Sequence, residues 1–211
     1  MTKTLLINCY QDQNKIKELQ EALGKFTVCR VIPYNSIGLD YEMPAIDISA
    51  VVISGSEARI NKLEDKGKYE GVAKFIQNCK VPLLGICFGH QLLCSTFGAK
   101  TGTLKQPVID KFEQVKIIQT GDILARFRMS QTVPFAEYHN DYVLKEGLEA
   151  AGFRLLADSA SCEVEAVKHR DKLFFGVQFH PERIAIGGEI HPEGHKIFDN
   201  FFCNNVKRLG I

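Results

Sequence analysis

No run in this chain approaches the ~20 consecutive apolar residues that a bilayer-spanning helix needs, so no membrane partner is expected. Nor is there an excess of charge: the formal net value is +1, which gives no electrostatic footing for nucleic acid or for an anionic lipid surface. The opening Met-Thr-Lys-Thr leads into a short apolar run broken by Asn8, without the apolar region and cleavage site of an export signal. The cysteines at 9, 29, 79, 87, 94, 162 and 203 are odd in number and form no Cys-x-x-Cys pair. That argues against a disulfide scaffold and against a zinc ribbon. A reduced, cytoplasmic chain is the expectation. A phosphate-binding Gly-x-x-x-x-Gly-Lys-Ser/Thr is absent, as are repeats, low-complexity tracts and linkers. What remains is 211 residues of ordinary composition, 45% hydrophobic and 24% charged. Such a length suits one good-sized α/β domain over residues 1–211 and is short for two.

Hydrophobic patterning gives the coarse order. Thr4 to Tyr10 reads as a strand, Asn14 to Phe26 as a helix with Ile16, Leu19, Leu23 and Phe26 at helical spacing, and Thr27 to Pro33 as a second strand. Ile46 to Ser54 reads as a strand buried on both faces, Glu70 to Cys79 as a helix, and Pro82 to Ile86 as a short strand entering a helix from Phe88. This order predicts a mainly parallel twisted sheet covered by helices on both faces, flavodoxin-like in layout, with ligands at the carboxyl ends of the strands. Shorter strands at Lys100–Leu104, Glu113–Gln119, Phe153–Ala157 and Cys162–His169, with a helical piece at Asp122–Phe127, predict a small antiparallel excursion. A strand at Lys172–Phe179 and a closing helix at Glu193–Leu209 complete the chain.

The stretch that carries chemistry is Val81-Pro-Leu-Leu-Gly85-Ile-Cys87-Phe-Gly89-His-Gln91. Gly-x-Cys-x-Gly between a strand and a helix fits a nucleophile elbow, in which a sharp turn lifts the central side chain out of the sheet. It also sets the thiol at a helix N-terminus, where the dipole favours thiolate. The same five residues fit a tight turn around an inert cysteine. A base for Cys87 is offered by His180-Pro181-Glu182 at the end of the Leu173–Phe179 run. Residues i and i+2 of an extended segment share a side, so Glu182 can hold the imidazole of His180. His191-Pro192-Glu193 repeats the tripeptide but follows a polar loop, and reads instead as the start of the last helix, with Pro192 at its first position. His191 and His195 stand four apart with no third ligand in sight, so no metal is expected. A third feature, Ser54-Gly55-Ser56 at the end of a strand, can present backbone amides. The N–H groups of Ser56 and Phe88 are candidates for an oxyanion hole.

Gly-Ile-Cys-Phe-Gly-His-Gln, the later Gly-Val-Gln-Phe-His-Pro-Glu and the strand-Ser-Gly turn together resemble the class I (triad-type) glutamine amidotransferases, in order and spacing over essentially the whole chain. That resemblance implies hydrolysis of the glutamine side-chain amide through a glutamyl thioester, with Cys87 as nucleophile, His180 as acid and base and Glu182 as orienter, and no cofactor. It places Gly55, Gln91 and the segment Tyr138-His139-Asn140-Asp141 around the substrate. Within the family the pattern resembles the glutaminase domain of GMP synthetase, with ammonia passing to a separate ATP-dependent synthetase subunit. The alternative is a stand-alone γ-glutamyl peptide hydrolase or transferase. Two positions depart from the family pattern. Gly55-Ser56-Glu57 stands for the frequent Gly-Gly-Pro, and a serine tolerates positive φ poorly. Tyr138 stands for a serine, so its contact to glutamine runs through backbone or differs.

Overall fold

Continuous apolar runs build the parallel half of the sheet. In the computed structural model, which describes residues 3–43 and 48–206, β1 (Lys3–Asn8) pairs in parallel with β2 (Val28–Pro33) and β3 (Ile48–Ile53). Next to β3 comes β4 (Leu83–Ile86), and next to β4 comes β9 (Phe174–Val177), both again parallel. β3, β4 and β9 are buried along their whole length, as expected of strands covered on both faces. The first two residues of the expected Ile46–Ser54 strand, and the end of the expected Glu193–Leu209 helix, lie outside the described residues.

Helices cover each face because their apolar residues recur every third or fourth position. On one side α1 (Lys17–Gly24) and α5 (Glu193–Asn200) bury Leu19, Leu23, Ile197 and Phe198 against Leu6, Val52, Leu84 and Phe175. On the other, α3 (Glu70–Asn78) and α4 (Phe88–Thr96) bury Val72, Phe75, Ile76, Phe88 and Leu92 against Leu5, Val51 and Ile53. A further short helix, α2 (Leu63–Lys68), buries nothing, and the periodicity gave no sign of it. Beyond α5 the chain runs on as a π-helix at Phe201–Val206. Among the described residues no helix is long and apolar enough to cross a membrane.

The antiparallel half extends further than expected. β5 (Thr101–Ile117), β6 (Thr132–Val143), β7 (Phe153–Asp158) and β8 (Ala166–His169) continue the same sheet, in the order β2-β1-β3-β4-β9-β8-β7-β5-β6. The two strands expected at Lys100–Leu104 and Glu113–Gln119 are the ends of β5. Their separation in the sequence reflects Pro107, which has no N–H for the ladder, and the register indeed shifts on both sides of Val108. β6 was not anticipated at all, and residues 138–141 lie within it. The Asp122–Phe127 piece shrinks to a 3-10 turn at Asp122–Leu124. The polar loop before His191 is a small hairpin, β10 (Ala185–Ile186) with β11 (Glu189–Ile190). Its Gly187 and Gly188 sit at φ 58° and 89°, the pair of left-handed residues that a two-residue turn demands. Pro192 caps α5 and Glu193 opens it, one residue later than expected.

Candidate active site

The elbow is built by close backbone approach. A β-carbon on Gly85 would lie 2.5 Å from the Gly89 carbonyl oxygen, and one on Gly89 would lie 2.4 Å from the Ile53 carbonyl oxygen. Only glycine lets α4 leave β4 this sharply. Between them Cys87 is held at φ 51°, ψ −107°, a backbone region that costs a non-glycine residue ~1–3 kcal/mol. Hydrogen bonds fix it there: the Cys87 N–H donates to Val177 O at 2.8 Å, and Gln91 N–H donates to Cys87 O at 3.1 Å. The Cys87 sulfur lies 3.5 Å from the carbonyl oxygen of Tyr138.

His180 follows β9 and is anchored through its own N–H, which donates to Ala136 O on β6 at 2.8 Å. Its Nδ1 meets Glu182 Oε1 at 2.8 Å, with both side chains almost wholly buried. Burial alone would depress the imidazolium. The charges of Glu182 and Cys87, and hydrogen bonding to both, overcome that and push His180 up to about 10. Nδ1 is committed to the carboxylate, so Nε2 is the ring atom left for Cys87 and for a reacting group. Burial has the opposite use at the other thiols: it pushes Cys9, Cys94 and Cys162 up, and Cys29 and Cys79 to about 11, which keeps them protonated and unreactive.

Ser56, Cys87, Tyr138, His180 and Glu182 share one cavity of about 560 Å³. Neither Gly55 nor Ser56 has a φ in the left-handed region, so the serine in place of glycine carries no strain. Gly55 is needed for another reason: a β-carbon there would crowd Tyr10 Oη at 2.9 Å and His180 Cε1 at 3.1 Å. As the first residue of α4, Phe88 has an amide with no partner one turn back, beside the sulfur.

Three expected substrate contacts sit behind this cavity with their side chains committed elsewhere. Gln91 Nε2 donates to Asp141 O at 2.5 Å and to Gln178 Oε1 at 3.1 Å. The Asp141 carboxylate accepts from Arg59 at 2.6 Å, Thr103 at 2.8 Å and the Asn61 amide at 3.4 Å. His139 Nδ1 faces Asp141 O at 3.2 Å, and burial lowers its pKa to about 4, leaving a neutral ring. The alternation of β6 turns Glu137, His139 and Asp141 inward together, while the Tyr138 ring faces the cavity, about half exposed.

The sequence reading missed the charged rim. Lys15 pairs with Glu57 at 2.7 Å, and Arg183 with Asp110 at 2.7 Å and Glu18 at 3.8 Å, around the mouth of the cavity. A signal was present: Asn14 to Glu18 follows the carboxyl end of the first strand, where ligands of parallel sheets collect. A rim of alternating sign suits a small zwitterion.

Comparison with known proteins follows the same outline. The model of the class-I glutamine amidotransferases matches residues 5–205. A glutamine-hydrolyzing GMP synthase subunit from Methanothermobacter thermautotrophicus is 34% identical over 204 residues, covering 96% of this chain and 97% of that protein. The protein of the same description from Pyrococcus furiosus is 36% identical over 153 residues, 72% of this chain and 75% of its own. Among solved structures, a protein from Thermoplasma acidophilum described as a GMP synthase subunit superposes with a TM-score of 0.78 at 26% identity, over 96% of this chain and 92% of that one.

Proposed function

The chain belongs to the class-I glutamine amidotransferases, and from that premise we propose that it hydrolyses glutamine at Cys87 and supplies the ammonia to a separate, ATP-dependent synthetase subunit that makes GMP. The observation that carries this reading is the placement of His180, oriented by Glu182 at 2.8 Å, beside the strained Cys87 in a cavity with room for an amino acid. The family and the full-length likeness to a glutamine-hydrolyzing GMP synthase subunit support it, rather than a stand-alone γ-glutamyl hydrolase.

The geometry supports the following sequence. Glutamine enters with its ammonium and carboxylate at the charged rim and its side-chain amide at the sulfur. With His180 holding the proton, Cys87 attacks as thiolate, and the amide oxygen becomes an oxyanion between the N–H groups of Ser56 and Phe88. His180 protonates the departing nitrogen, and ammonia leaves a glutamyl thioester. His180 then takes a proton from water, which attacks the thioester and releases glutamate.

Glutamate release from glutamine by the purified chain, alone and with the synthetase subunit, tests the reading. Cys87→Ala is expected to abolish release in a chain that still folds and melts cooperatively. Release that survives in Cys87→Ala would refute the assignment of the nucleophile, and wild-type hydrolysis of γ-glutamyl peptides in preference to glutamine would refute the substrate.

A further inference from the structure

Two tyrosines flank the turn after β3, and their hydroxyls are used differently. The Tyr69 hydroxyl donates to Cys9 O at 2.7 Å and meets Ser56 Oγ at 2.9 Å, and its ring is wholly buried. Tyr10 stands two residues beyond β1, at the carboxyl ends of the parallel strands, where Gly55 follows β3 and His180 follows β9. Its backbone is fixed on both sides: the N–H donates to Asn8 Oδ1 at 3.1 Å, and the carbonyl accepts from the Gln13 side chain. Its ring packs against the core. Its hydroxyl has no hydrogen-bond partner among the described residues, although Tyr10 lines the same cavity as Cys87, His180 and Glu182. The steps above give that hydroxyl no role.

The place of the hydroxyl is given by its distance to Gly55. A β-carbon at Gly55 would lie 2.9 Å from Tyr10 Oη and 3.1 Å from His180 Cε1. The hydroxyl and the edge of the imidazole are therefore at most about 6 Å apart, a span that two hydrogen bonds of ~2.8 Å through one water can bridge. Cε1 is bonded to Nε2, the ring atom that the contact of Nδ1 with Glu182 leaves for chemistry. Burial pushes the Tyr10 phenol up, and the charges of Glu182 and Cys87 add to it, so the phenol keeps its proton. A neutral phenol can donate one hydrogen bond and still accept another. A small polar molecule between the two side chains would meet a base on one side and this hydroxyl on the other, directly before Ser56 and its amide.

The second half of the proposed reaction needs such a pair of groups. When water attacks the glutamyl thioester, the C–O bond forms, the C–S bond breaks and its electron pair returns to the Cys87 sulfur. One water proton goes to His180 Nε2. The other leaves with the γ-carboxyl, whose pKa of ~4.3 releases it to solvent at neutral pH. In the first half reaction the nucleophile is part of the chain and is aimed by the elbow. In the second it is a free molecule, and one hydrogen bond to Nε2 leaves it able to turn. A held water takes two or more polar partners, and the second partner decides where its lone pair points. We propose that Tyr10 is a further catalytic residue, whose hydroxyl accepts the second hydrogen of the attacking water and holds that water against His180 for hydrolysis of the glutamyl thioester. The inference rests on the glutaminase reading above. Attack by Cys87 and loss of ammonia do not use the hydroxyl.

Tyr10→Phe removes the hydroxyl and keeps the ring in the core. With thioester hydrolysis slowed and thioester formation untouched, kcat and KM for glutamine are expected to fall together, several-fold, with kcat/KM near that of the wild type. Glutamyl-enzyme should accumulate at Cys87, read by intact mass after an acid quench. Hydroxylamine, a stronger nucleophile than water, should raise turnover of the variant more than that of the wild type, giving γ-glutamyl hydroxamate. A hydroxyl that served packing alone would change stability without this split. Wild-type kcat and KM in Tyr10→Phe would overturn the inference. So would a fall in kcat/KM without accumulated thioester, which would place the hydroxyl in the first half reaction. A wild type that neither forms the thioester nor releases glutamate, even beside the synthetase subunit, would refute the proposed function and the inference with it.

Discussion

At the scale of single residues, the strained turn at Cys87 and the raised His180 are two parts of one device. His180 rises to about 10 because Glu182 and Cys87 together outweigh burial. A group whose folded pKa lies above its unfolded value stabilises the fold fully below the unfolded value, here ~6.5. That contribution is lost as pH rises through about 10. Removing the sulfur deletes one raising cause and leaves burial, which lowers. In Cys87→Ala the His180 pKa is therefore expected to fall, and the stability contribution to be smaller and lost at lower pH. Imidazole NMR titration of both proteins, with melts across pH, checks the expectation. A wild-type His180 titrating near 6.5 would remove the imidazolium–thiolate pair from the mechanism.

At the scale of elements, legibility followed from how each element earns its place. Strands β1, β3, β4 and β9 and helices α3 and α4 announce themselves because burial demands apolar runs or a 3.6-residue period. The elbow was legible because its glycines have a steric reason that survives in the sequence. β6 was hidden because Glu137, His139 and Asp141 occupy its buried face, so polar residues stand where the pattern looks for apolar ones. Two of them, His139 and Asp141, were expected around the substrate, and their side chains meet partners within the protein. α2 was hidden for the opposite reason, having no buried face. Helices α4 and α2 give a paired test. A β-carbon at Gly89 meets the Ile53 carbonyl, whereas one at Gly67 in α2 meets nothing within 4 Å. Gly89→Ala is expected to cost at least ~1–3 kcal/mol, and Gly67→Ala to stabilise by ~0.5–1 kcal/mol. Thermal melts of the two single variants read both signs, and a neutral Gly89→Ala would mean that the elbow relaxes more easily than its contacts imply.

At the scale of the molecule, the sheet does what its strand order alone would not suggest. β6 is the last strand in the order, four places from β9, yet it supplies the carbonyls that meet His180 and Cys87. The sheet must curl for this to happen, in keeping with the twist of long sheets. The curl is held by Phe135 of β6 stacked on Phe179 next to His180, with ring centroids 3.9 Å apart and planes 5° from parallel. Such a pair adds ~0.5–1.5 kcal/mol to its burial, and it couples core packing to the position of the base. A core aromatic elsewhere should lack that coupling. Phe153 of β7 is equally buried, but packs on Phe97 and His169, away from the cavity. Phe135→Leu and Phe153→Leu are each expected to cost about 0.5–3 kcal/mol of stability. Assayed well below both melting temperatures, Phe135→Leu should lower kcat by about tenfold or more, since misplacing a catalytic group by about an ångström can cost 10²-fold. Phe153→Leu should leave kcat near the wild type. Equal kcat in the two variants would mean that β9 alone positions His180, and that the curl of the sheet serves stability without serving the chemistry.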